Sequence, residues 1–87
     1  MKGLTQYRIG KEAIYLGTGA AEFIHSNSRT GESSHFFGIV TSIEDRGEFL
    51  YIGYQPNDVS HNCRFGYFRL YKDGRRDRAV QWRVTMA

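Results

Sequence analysis

The chain reads as an all-β domain, or a β-rich α+β one, with a small antiparallel barrel-like or strongly bent sheet and at most one short helix. Three observations lead there. Apolar residues recur with period two, most clearly over residues 37–43 and 80–86. Turn residues break the chain at close spacing, so the strands between them are short and several. No heptad, internal repeat or linker composition interrupts this pattern, and 87 residues suffice for one domain, 1–87.

In the first third, Tyr7-Arg8-Ile9 and Ala13-Ile14-Tyr15-Leu16 form short strands around Gly10-Lys11-Glu12. Residues 20–25 fit a strand or two turns of helix, because six residues are too few for periodicity to decide. The one short helix, if present, falls here. Residues 26–34 are polar throughout and read as a mobile loop.

The middle third carries the clearest hairpin. Phe37, Ile39, Thr41 and Ile43 alternate with Gly38, Val40, Ser42 and Glu44; Asp45-Arg46-Gly47 follows, and then the run 49–54. Gly47 takes the left-handed position of the turn. Both faces of these strands are largely apolar, which places them near the centre of the sheet. Pro56 ends the second strand, having no donor for the ladder.

A second hairpin is expected over residues 65–86. Asp73-Gly74 resembles a tight turn, but that register sets Leu70 opposite Asp77 and Arg69 opposite Arg78. Pairing Phe68 with Trp82 and Leu70 with Val80 keeps the apolar faces together and leaves a five-residue loop, 73–77, with arginines at its tip.

Charge is unevenly spread. Residues 64–87 hold seven basic and two acidic residues, a net of +5, whereas residues 1–63 carry −2. The basic third also holds Phe65, Tyr67, Phe68, Tyr71 and Trp82. Guanidinium groups interleaved with rings suit phosphates and bases, or an acidic protein patch. The candidate contact residues are Arg64, Tyr67, Arg69, Tyr71, Lys72, Arg75, Arg76, Arg78 and Arg83. A charged terminal strand also guards a sheet edge against aggregation, which is the plainer account of the same residues.

The remaining motifs argue against chemistry. His25, His35, His61 and Cys63 are the only conceivable metal set, and they lack the paired spacing of structural zinc sites. A Cys63 nucleophile has no flanking signature. Gly17-Thr18-Gly19 lacks the spacing and the Gly-Lys-Ser/Thr ending of a phosphate loop. Glu44 and Asp45 are turn charges. No cofactor is implied.

A single cysteine excludes an internal disulfide, no apolar run reaches the roughly 18 residues of a membrane span, and the first residues lack a secretory core. A cytoplasmic location is the expectation. The leading functional expectation is a non-enzymatic module that binds nucleic acid through the basic-aromatic hairpin. The alternative is a stoichiometric protein inhibitor, of the kind viral and mobile-element genomes encode, meeting an acidic host-protein surface. The third is a protein sequestering a small ligand or nucleotide between the polar loops 26–34 and 55–62.

Overall fold

The computed structural model describes residues 3–57 and 65–87. They form seven strands, and no helix occurs among them: β1 (Thr5–Ile9), β2 (Glu12–Leu16), β3 (Gly19–Asn27), β4 (Ser33–Asp45), β5 (Phe49–Pro56), β6 (Gly66–Tyr71) and β7 (Val80–Met86). β1 and β2 pair as an antiparallel ribbon. The other five form one strongly curled antiparallel sheet, a half-barrel, in the order β6-β5-β4-β3-β7.

Residues 20–25 are strand rather than helix. Ala21 and Phe23 are buried while Glu22 and Ile24 face outward, an alternation of period two that lets β3 pair on both sides. The polar stretch after it is shorter as a loop than expected. Ser26 pairs with Ser33 and His25 with Ser34, so only residues 28–32 turn. Asn27 fixes that turn, its side-chain oxygen accepting the amides of Arg29 at 2.9 Å and Thr30 at 3.2 Å. Polar residues extend the ladder here because the backbone makes the pairing while their side chains stay in water.

The central hairpin forms as expected, with β4 as the middle strand of five. Its loop lies one residue later, at 46–48, closed by Arg46 N–H donating to the Phe49 carbonyl at 2.9 Å. Gly47 sits at φ 85°, the left-handed conformation expected of it. β5 ends at Pro56. Where the register shifts between Val40 and Ser42, Thr41 is an extra residue, and both Thr41 and Ser42 lie on the side of Gly53. Such a bulge bends its strand and raises the local twist, which helps the sheet curl.

The second hairpin does not exist. β6 pairs with β5, setting Phe68 opposite Ile52 and Leu70 opposite Leu50. β7 pairs with β3, setting Trp82 opposite His25 and Val80 opposite Asn27. The two strands therefore lie at opposite ends of the sheet, and the curl brings their inner faces together. Phe68 and Trp82 stack with ring centroids 4.2 Å apart and planes 7° apart. A period-two pattern says which face a residue occupies, and it is silent on whether two inner faces meet side by side or across a curl. Two tight turns follow β6: Gly74 N–H donates to the Tyr71 carbonyl at 3.0 Å, and at Arg78-Ala79 Asp77 and Val80 exchange backbone hydrogen bonds while Arg78 adopts φ 59°.

The core lies in the concave side. Phe23, Leu50, Ile52 and Val40 are fully enclosed, and Phe36, Tyr54, Phe68 and Trp82 surround Phe23 with ring contacts of 5.1 to 6.4 Å. Large rings give a short chain the buried area it needs. The β1–β2 ribbon covers the open seam of the half-barrel: Leu16 is buried, Tyr7, Ile9 and Ile14 pack on the core, and Gly10 N–H donates to the Lys72 carbonyl at 2.7 Å.

The two-sided apolar strands do lie at the centre of the sheet, and their outer face is not covered: Phe37 and Ile39 remain exposed on the convex side.

Candidate interaction surfaces

Of the nine residues singled out by charge and aromaticity, eight are described; Arg64, like His61 and Cys63, lies outside the described residues. The eight do not form one basic hairpin. Tyr67, Arg69 and Tyr71 stand on the outer face of β6, facing Gly53, Tyr51 and Phe49 of β5. Gly53 has no side chain, so the Tyr67 ring leans over its backbone and stacks on Tyr51 at 5.1 Å and 11°. Phe49 and Tyr71 make a second ring pair at 5.4 Å.

Cations cap these rings, and acids neutralise the cations. Arg46 lies over Tyr51, Arg69 over Phe49, and Arg75 over Tyr71 at 4.0 Å. Arg46 then bonds Glu44, Arg69 bonds Asp77 at 3.1 Å, and Arg75 bonds both Asp73 at 2.8 Å and Glu48 at 3.2 Å. Lys72 donates to Asp45 at 2.8 Å. That bond, followed by the Gly47 N–H, holds the Asp45 carboxyl below its ordinary range. The Arg75 backbone N–H does the same first for Asp73, and the Glu48 bond raises Arg75. The basic-aromatic surface is thus largely satisfied within itself. Tyr67 and the paired guanidinium groups nevertheless stay exposed to solvent.

Arg76 and Arg78 differ. Neither makes an ion pair among the described residues; Arg76 donates to the Ala79 carbonyl at 3.3 Å. The same carbonyl accepts from Ser28 N–H at 2.9 Å and Ser28 Oγ at 3.3 Å. This joint sets the β3–β4 turn, with its unpaired Arg29, beside the Arg78 turn. Three guanidinium groups without an ion pair among the described residues, Arg29 from one turn and Arg76 and Arg78 from another, therefore share one end of the sheet. Arg83 is elsewhere, on the outer face of β7, with Nη2 3.7 Å from Glu12 of β2.

A second surface was not singled out by the sequence reading, although the two-sided apolar pattern of residues 37–43 carried the signal. On the convex face of β3 and β4, Phe37 (58% exposed), Ile39 (43%) and Ile24 (41%) are neighbours. Phe37 stands opposite Glu22, Ile39 opposite Ala20, and Ile24 opposite His35. His35 Nε2 lies 2.5 Å from Glu22 Oε2, and its ring is 5.3 Å from Phe37. Arg83 stands opposite Ile24 on the other side. The result is an exposed apolar pair on β4, Phe37 and Ile39, with Ile24 of β3 set off from it by the Glu22–His35 pair.

The two described histidines are separated. His25 points inward, its ring 4.8 Å from Trp82, whereas His35 is on the outer face. Among the described residues no three His, Cys, Asp or Glu side chains group as metal ligands, and no helix is long and apolar enough to cross a membrane. Comparison of the chain with protein-family models, with curated proteins and with solved structures finds no match.

Proposed function

We propose that the chain is a non-enzymatic binding module that acts by covering a protein surface, with the convex face of β3 and β4 as its contact. The observation that carries this reading is the exposure of Phe37, Ile39 and Ile24 together on the middle of the sheet. Exposed apolar groups in a cluster, rimmed by charges, favour association with a protein, since covering them removes apolar area from water. A stoichiometric inhibitor or adaptor fits a module of this size.

Nucleic-acid binding is the second reading, and Arg29, Arg76 and Arg78 favour it. Among the described residues their charges are not paired with acids, unlike those of Arg69, Lys72 and Arg75. Fluorescence anisotropy of labelled single- and double-stranded oligonucleotides, titrated across salt, separates the two readings. Protein docking predicts weak binding at low salt that vanishes near physiological ionic strength. Tight binding with a steep salt slope, lost in the Arg29→Glu, Arg76→Glu, Arg78→Glu variant, would install the nucleic-acid reading instead.

A further inference from the structure

We infer that the hollow beneath the β1–β2 ribbon binds a small amphipathic carboxylate, with its hydrocarbon body against the core and its head on Arg83. This site is separate from the convex face and does not rest on the reading given for it.

The ribbon crosses the seam of the half-barrel without filling it. Ile9 and Ile14, on one face of the ribbon, line one wall, and Leu70 of β6 with Trp82 and Val84 of β7 line the other. Between them is a hollow of about 690 Å³. β2 and β7 themselves lie close and are bridged by Glu12 and Arg83 at 3.7 Å, so the room is for a small molecule and not for a further strand. Sites of this volume, mostly apolar with a few polar groups to orient the guest, are the usual form of a small-molecule pocket. Ile9, Ile14 and Trp82 are only partly buried, so apolar area here still faces water. A hydrocarbon body that fills the hollow removes that area from solvent.

The charged groups at the mouth select the head. The Arg83 guanidinium makes no hydrogen bond among the described residues, and both it and Glu12 are about two-thirds exposed. So long and so wet an ion pair contributes little, which leaves the guanidinium open to a better acceptor. A carboxylate provides one, since its two oxygens match two parallel N–H groups of the fork. An ammonium head would have Glu12 alone. Lys11 precedes Glu12 in the chain and Arg8 stands opposite the lining residue Ala13, both exposed and neither in an ion pair among the described residues. Three cations against one acid favour an anion here. A nucleotide fits poorly, because its base edges and further phosphate oxygens would meet apolar side chains without partners.

The test titrates decanoate, decanol and decylammonium, the same hydrocarbon with different heads, following Trp82 emission and the heat of binding. Decanoate should bind saturably, with an affinity about tenfold or more above either of the others, the order expected of hydrogen bonds to a charged group. Arg83→Gln should bring decanoate down to the level of decanol, and Glu12→Gln should tighten it severalfold. Ala13→Trp, which fills an exposed lining position, should remove most of the binding. Decanol binding as tightly as decanoate, or decylammonium binding tightest, overturns the inference. So does wild-type affinity for decanoate in Arg83→Gln, or the lack of saturable binding by all three compounds. If Ala13→Trp does not fold, the three heads compared on the wild type and on Arg83→Gln still decide. Phe37→Glu should bind decanoate as the wild type does; a loss there would put the ligand on the convex face, beside which Arg83 also stands, and overturn the inference. Failure of decanoate to bind leaves the convex-face reading standing, and the reverse.

Discussion

Removing the Trp82 ring should open the seam of the half-barrel, and the size of the loss can be worked out from its contacts. The ring stacks on Phe68 at 4.2 Å and meets Phe23 and Phe36 edge-on at 6.4 and 6.2 Å. Truncating a buried large ring to Ala costs about 3–5 kcal/mol, and Trp82 is only partly buried, so about 3 is expected. At roughly 0.05–0.15 kcal/mol per residue, a domain of this length holds about 4–13 kcal/mol in all. Trp82→Ala therefore removes a quarter to most of the stability, or about 12–24 °C of melting temperature at ~4–8 °C per kcal/mol. Urea unfolding followed by circular dichroism is the assay, since Trp82 is the sole tryptophan and its emission is lost with it. A double-mutant cycle then separates the stack from burial alone: Trp82→Leu, Phe68→Leu and both together should show a coupling of about 0.5–1.5 kcal/mol. A wild-type midpoint for Trp82→Ala would put the ring in solvent. Additive single losses in the cycle would mean the two rings do not meet, and the seam as described would be wrong.

Three further outcomes follow from the same geometry. Phe37→Glu should fold within about 1 kcal/mol of the wild type, measured by urea midpoint, because it leaves every core contact in place and adds only a like-charge pair with Glu22 opposite it. Arg78→Gly should raise the midpoint by about 0.5 kcal/mol: the left-handed turn costs a residue with a side chain ~1–2 kcal/mol, against ~0.5–1 for the freer unfolded glycine. Asp45 and Asp73 have folded pKa values below the unfolded 3.8, so their contribution is complete above that pH and lost as pH falls through the lower folded values. Urea midpoints taken from pH 6 down to about 2 should drop below about pH 4, and Lys72→Met should make that drop shallower by removing the main cause acting on Asp45.

The sequence carried the strands well, because alternation is a local property of the backbone. The β4–β5 hairpin and the left-handed Gly47 were legible for that reason, and so was the inward placement of Phe68, Leu70, Val80 and Trp82. Which strands neighbour one another was not legible for β6 and β7. A curled sheet can bring two inner faces together without pairing their strands, and the stack of Phe68 on Trp82 satisfies the same pattern as a ladder would. The basic residues show a comparable gap. Their excess was plain in the chain, but Asp45 and Glu48, which meet Lys72 and Arg75, come from the β4–β5 turn 27 residues earlier in each case. Folding sets those acids beside the cations and cancels much of the field that composition alone implies. The convex patch was in view as an apolar outer face on residues 37–43, which the sequence reading used only to place those strands at the centre of the sheet.

Retention of a protein partner on the immobilised chain, from a nuclease-treated native lysate, tests the central claim most directly. The wild type, Phe37→Glu and the triple Arg29, Arg76, Arg78→Glu variant are compared side by side, each shown to be folded. The account predicts a protein held in near-stoichiometric amount by the wild type and the arginine variant and lost from Phe37→Glu. A partner kept by Phe37→Glu but released by the arginine variant, or released by nuclease, would contradict it.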